Sequence, residues 1–196
     1  FVDLLNLYND HHGIYTLAGV LKGQGTRVFF IGSRNTSRIL EQIKKINPDL
    51  ICYSSFSSTI PLYISFDKLA KQSFGVTSII GGPGPTFDWS VLRDSSIDAI
   101  CIGEGEYAIV DYIQNGFEPV KNIFNREDPF PIDFYPLADM DNLPFPDRSV
   151  VYNTDALLEQ SPSKQFFFFL GCPYNCSYCF NHKFREIFKG CGPPVR

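Results

Sequence analysis

The sequence predicts an α/β fold with a doubly wound parallel sheet, on three observations. Over residues 1–116, short apolar runs alternate with amphipathic stretches, the rhythm of strand-helix repeats. The runs are apolar on consecutive positions, as expected of strands covered on both faces. Two of the amphipathic stretches stop at residues that end helices, Gly23 and Pro48.

The expected strands are residues 2–7, 27–31, 49–54, 77–80 and 99–102. Between the first two, Ile14, Leu17, Ala18 and Leu21 recur at helical spacing. Ile39, Leu40, Ile43 and Ile46 do the same, with Asn35 or Thr36 placed to cap the helix start. Ala108, Ile109, Tyr112 and Ile113 form the last helical face before Gly116. Residues 117–160 then change character: Pro119, Pro129, Pro131, Pro136, Pro144 and Pro146 sit among acidic side chains, and the stretch reads as a connector with little regular structure. Phe166-Phe167-Phe168-Phe169-Leu170 is too apolar for an exposed strand and too short for a helix before Gly171 and Pro173, so it reads as the first buried strand of a second domain. The expected organisation is a doubly wound domain at 1–118, a proline-rich linker at 119–160 and the beginning of a further, truncated domain at 161–196. The chain opens on Phe1 without an initiator methionine, so a missing N-terminus is expected as well.

Composition narrows the class. With 44% hydrophobic and 19% charged residues in 196, the chain is globular and not disordered. No uncharged apolar run approaches the roughly 20 residues of a bilayer span. The net charge of −4 hides an acidic middle and a basic end: residues 61–160 hold 6 basic and 16 acidic side chains, residues 161–196 hold 5 and 1. That balance argues against a polybasic nucleic-acid module, and Lys183, Arg185, Lys189 and Arg196 read as a solvated face. Of six cysteines, Cys52 and Cys101 lie inside strand-like runs and read as core, which argues against a secreted disulfide framework and for the cytoplasm.

The strongest chemical signal is the loop Gly171-Cys172-Pro173-Tyr174-Asn175-Cys176-Ser177-Tyr178-Cys179. Three thiolates this close in sequence can converge on zinc or on an iron-sulfur cluster. Zinc requires a fourth ligand, for which His182 and Cys191 are the candidates; a cluster held by only three cysteines keeps one iron open. Cys172-x-x-x-Cys176-x-x-Cys179, after a strand and with Tyr178 before the last cysteine, resembles the signature of radical S-adenosylmethionine enzymes. The resemblance implies that these three cysteines hold a four-iron four-sulfur cluster (4Fe-4S), that its open iron binds S-adenosylmethionine, and that reductive cleavage gives a 5'-deoxyadenosyl radical at the mouth of a (β/α) barrel. Tyr178 would pack near the adenine or anchor the loop.

Two glycine-rich turns, Gly81-Gly82-Pro83-Gly84-Pro85-Thr86 and Gly103-Glu104-Gly105-Glu106, each follow an expected strand and precede a helix, so they lie at the carboxyl edge of the sheet, where open parallel sheets bind ligands. Neither fits G-x-G-x-x-G, which argues against a nicotinamide cofactor. With the serine run Ser54-Ser55-Phe56-Ser57-Ser58 and the proline-rich bridge, they resemble the Rossmann-like cobalamin-binding domain found upstream of many radical S-adenosylmethionine barrels. The resemblance implies that Ser54, Ser55, Gly81, Gly82, Gly103 and Glu104 accommodate cobalamin. It departs in one place: relatives with a histidine below the cobalt carry Asp-x-His-x-x-Gly, and Asp10-His11-His12-Gly13 is followed by Tyr15 where the last glycine belongs.

The function implied is that of a cobalamin-dependent radical S-adenosylmethionine enzyme, inactive in this truncated form. It would methylate or rearrange an unactivated carbon of a small-molecule or peptide substrate, with electrons from a flavodoxin or ferredoxin. No catalytic side chain is assigned. The rival reading is a non-catalytic doubly wound binding module with a zinc- or iron-sulfur-stapled tail.

Overall fold

The computed structural model describes residues 1–5, 10–125, 128–129, 133–193 and 195–196. Two parallel strands, β1 (Val2–Asp3) and β2 (Ile31–Gly32), pair with each other, and β1 lies beside β3 (Leu50–Ser54). β3, β4 (Thr77–Gly81) and β5 (Ala99–Cys101) run parallel, and β6 (Ile123–Asn125) closes the sheet antiparallel to β5. Connecting helices α1 (His12–Gly23), α2 (Thr36–Ile46), α3 (Ile60–Phe74), α4 (Pro83–Phe87) and α5 (Ala108–Gln114) cross between successive strands.

Side-chain alternation along the strands builds two cores. Ile79, Ala99 and Cys101 face α1 and α5, meeting Leu21, Ala108, Ile109 and Tyr112. Ile80 and Ile100 face the opposite way, toward Ile39 and Ile43 of α2 and Ile60, Tyr63 and Phe66 of α3. Both faces are therefore apolar, and each fully buried isoleucine contributes about 1.5–3 kcal/mol. The helices begin and end where the local chemistry dictates. Asn35 accepts a hydrogen bond from the Arg38 N–H at 3.1 Å to start α2, and Asn47, left-handed at φ 49°, closes it by donating to the Ile43 carbonyl. Gly75, at φ 63°, ends α3 in the same way.

Several expectations are corrected. The expected strands at 2–7 and 27–31 shrink to two residues each, because parallel pairing holds only between Val2 and Ile31 and between Asp3 and Gly32; residues 6 and 7 lie outside the described residues. α3 has no counterpart among the expected elements, although Ile60, Tyr63, Phe66 and Ala70 carry helical spacing. The connector is more ordered than its prolines suggest: it contains β6 and the short helices α6 (Ser149–Tyr152) and α7 (Ala156–Gln160). It is fastened to the sheet by Asn122, buried and left-handed at φ 63°, which donates to the Ile102 carbonyl at 2.8 Å and accepts from the Tyr135 N–H at 2.7 Å. Most plainly, the run Phe166 to Phe169 is not a buried strand. Its rings are exposed, Phe168 to 88%, and pairing begins only at Leu170, which exchanges two backbone hydrogen bonds with Arg196. A strand needs a partner, and no described residue offers one to the phenylalanines. Residues 161–196 form α8 (Asn181–Ile187) and one isolated antiparallel bridge, Gly171 to Val195, and no second sheet among the described residues. Nor is any described helix long and apolar enough to cross a membrane.

Candidate cofactor-binding site

The strand register gathers the candidate residues at one edge. Ser54 pairs with Gly81 at the carboxyl ends of β3 and β4, and Gly103 follows β5 by two residues. At this edge the loops after β3 and β4 pack on each other. Gly84 donates to the Ser55 carbonyl at 2.8 Å, and Ser55 donates to the Gly81 carbonyl at 3.0 Å. Gly82 is at φ 96°, and a Cβ there would stand 2.9 Å from the Ser55 carbonyl oxygen and 3.0 Å from Ser54 Oγ. Glycine at 82 is thus required by the protein itself, because the adjoining loop fills the space a side chain would need. Ser54 is exposed. Ser55 is buried, and its hydroxyl has no hydrogen-bond partner among the described residues. A buried hydroxyl without a partner carries an uncompensated desolvation cost.

The two glutamates of the second turn play different parts. Glu104 accepts from the Ala138 N–H at 2.9 Å and pairs with the Arg196 guanidinium, so it clasps the connector and the tail to the edge of the sheet. Glu106 is the residue that the sequence reading missed. One of its carboxylate oxygens is buried without a partner among the described residues, and burial raises its pKa against the backbone N–H groups of Glu106 and Gly105. The visible signal was its position as the second acid of a repeated Gly-Glu just before α5. Beside it, burial first and the Glu106 charge second push the Cys101 thiol up to about 12, which keeps it an inert core thiol.

The cysteine loop is held against α8. Cys172, Cys176 and Cys179 are free and half-buried, and the Cys179 N–H donates to the Cys176 carbonyl at 3.1 Å. Arg185 of α8 holds the loop, donating to the carbonyls of Cys172 at 2.8 Å and Tyr174 at 3.0 Å and to the Asn175 side chain. An open cleft of about 530 Å³ runs alongside, lined by Asn175, Ser177, His182, Arg185, Glu186 and Lys189. Tyr178 is 91% exposed and touches no core. Among the described residues no three histidine, cysteine or acidic side chains are arranged to hold a metal ion, so the three thiols share a loop without converging.

Three comparisons with known proteins bear on this edge. A family model for the B12 binding domain matches residues 2–113, the region that contains β1 to β5 and both glycine turns. The chain belongs to the B12 binding domain family. An uncharacterized methyltransferase of Pyrococcus horikoshii is 27% identical over 159 residues, which is 73% of this chain and 34% of that relative's length. Among solved structures, the radical S-adenosylmethionine methyltransferase TsrM from Kitasatospora setae, determined with tryptophan and an S-adenosylmethionine analogue, shares the fold at a TM-score of 0.54 and 12% identity, over 63% of this chain and 27% of that one. The N-terminal domain of a hypothetical protein from Thermotoga maritima matches at a TM-score of 0.41 and 23% identity, over 55% and 84%.

In the loop after β1, Asp10 does not orient a histidine; it accepts from the Tyr15 and Tyr152 hydroxyls at 3.1 and 3.0 Å, from Arg148 at 2.9 Å and from the Gln165 N–H at 2.9 Å. Burial works to raise its pKa, but those four donors outweigh it and hold the carboxyl below the usual range. Burial first and the Arg148 charge second lower the His12 pKa, and its ring lies 4.1 Å from that of Phe167, with Nε2 buried and without a partner among the described residues. The loop is committed to holding α6 and the phenylalanine run.

Proposed function

We propose that this chain is the cobalamin-binding part of a radical S-adenosylmethionine methyltransferase. The observation that carries the reading is the spacing Cys172-x-x-x-Cys176-x-x-Cys179 on one loop downstream of a B12 binding domain. The methyltransferase named in Pyrococcus horikoshii supports it, as does the fold shared with a radical S-adenosylmethionine methyltransferase. When bound, a four-iron four-sulfur cluster supplies the electron that cleaves S-adenosylmethionine, and cobalamin supplies a methyl group.

The residues of this chain bind and orient. Cys172, Cys176 and Cys179 would hold the cluster, and Arg185 positions the loop that carries them. Tyr178, free on the surface, offers a ring to an adenine. At the sheet edge the Ser55 hydroxyl, which has no partner among the described residues, would hydrogen-bond a polar group of the cobalamin tail beside the exposed Ser54. The substrate is a small molecule or peptide, and a flavodoxin or ferredoxin delivers the electron.

Anaerobic reconstitution with iron and sulfide tests the cluster. About four irons and four sulfides per chain are expected, with a paramagnetic resonance signal of the reduced protein that S-adenosylmethionine perturbs. Cys172→Ala, Cys176→Ala or Cys179→Ala should abolish the cluster, and Cys101→Ala and Cys191→Ala should not. Zinc without sulfide would instead support a metal-stapled binding module and remove the radical chemistry.

A further inference from the structure

The carboxyl edge is half covered by the chain's own tail. On the β3 side Ser54 and Phe56 are exposed; on the β5 side the edge is closed. Phe188, just after α8, is 2% exposed and lies against Gly103, where its Cε2 would stand 2.8 Å from a Cβ on that glycine. Its ring centroid is 4.5 Å from that of Phe184 and 4.7 Å from that of Phe134. Phe180, before α8, packs on Phe87 at the end of α4 with centroids 5.2 Å apart. Arg196 locks the tail's end by pairing with Glu104 and donating to the Ala138 carbonyl at 2.7 Å, and the Leu137 N–H donates to the Cys191 carbonyl at 2.8 Å. Residues 180–193 and 195–196 thus bridge the turns after β4 and β5 at the carboxyl edge of the sheet.

We propose that α8 and the described residues flanking it, 180–193 and 195–196, act as a strap that cobalamin must displace from the β5 side of the edge, an inference that rests on cobalamin being the ligand. The strap and the cysteine loop move together, because Arg185 in its middle holds the carbonyls of Cys172 and Tyr174. Corrin binding therefore repositions the loop that carries the three thiols, and the two cofactor sites are thermodynamically coupled. By linkage, anything that frees the strap tightens the corrin site.

Methylcobalamin is the suitable probe, since its occupied upper position keeps exposed thiols from coordinating the cobalt. Titration of the full chain, followed by the corrin visible bands, should give about tenfold tighter binding for Phe188→Ala than for wild type. Arg196→Ala, which unclasps the strap without entering the core, should tighten binding in the same direction by roughly threefold or more. Saturating cofactor should also accelerate iodoacetamide labelling of the half-buried Cys191 in the wild type, read by peptide mass spectrometry, and leave Cys101 unlabelled. If Phe188→Ala unfolds by circular dichroism, Arg196→Ala decides. Equal or weaker binding by the folded variants, with wild type still binding, overturns the strap and leaves the cobalamin reading intact. No binding by any of them overturns both.

Discussion

At the scale of single residues, Asp10 and Glu106 are held in opposite protonation preferences, and the sign of each makes a prediction. Asp10 has a lowered pKa in the folded protein, so its contribution is present above the unfolded carboxylate range and is lost as pH falls through the folded value. Asp10→Ala leaves Arg148, two tyrosine hydroxyls and the Gln165 N–H short of an acceptor, and should cost about 2 kcal/mol or more at pH 7 by urea unfolding. The cost should shrink on acidification. Glu106 is the reverse case: its raised pKa means that the folded state favours the neutral acid, and the contribution present at low pH is lost as pH rises through the folded value. Glu106→Gln should therefore raise the melting temperature at pH 8 and change it little at pH 4. An unchanged melting temperature at pH 8 would mean that Glu106 is solvated after all.

At the scale of elements, legibility followed locality. α1, α2 and α5 are plain in the sequence because apolar spacing and a stopping residue lie within one helix. The lengths of β1 and β2 are not, because how far a strand runs depends on the partner it meets. The phenylalanine run shows the same limit more sharply: its apolar character is real, yet burial needs a second surface that the described residues do not supply. Phe168→Ser is accordingly expected to change unfolding free energy by no more than about 0.5 kcal/mol, where a core phenylalanine would cost about 3–5 kcal/mol. The glycine turns were read correctly as edge features, but the reason for Gly82 is the neighbouring serine loop and not open space. Gly82→Val is thus expected to disturb the fold as well as any ligand, and is a poor probe of binding.

At the scale of the whole molecule, one sheet edge collects the features that a ligand needs: Ser54 exposed, Ser55 unsatisfied, and a tail that closes the β5 side. Arg185 of α8 holds the loop of Cys172, Cys176 and Cys179, so that loop and the covered half of the edge are joined through one short helix. Membership of the B12 binding domain family was legible in these residues before the fold was known; the covering of the edge was not, because it depends on contacts between residues far apart in sequence, such as Gly103 with Phe188 and Glu104 with Arg196. The most direct test of the account is equilibrium dialysis of the chain against methylcobalamin, beside a Ser54→Tyr variant that places a ring on the open half of the edge. About one cofactor retained per wild-type chain, with binding weakened at least tenfold in folded Ser54→Tyr, is the result expected. No retention at high micromolar cofactor by wild-type protein that is folded by circular dichroism would contradict it, and so would undiminished binding by the variant.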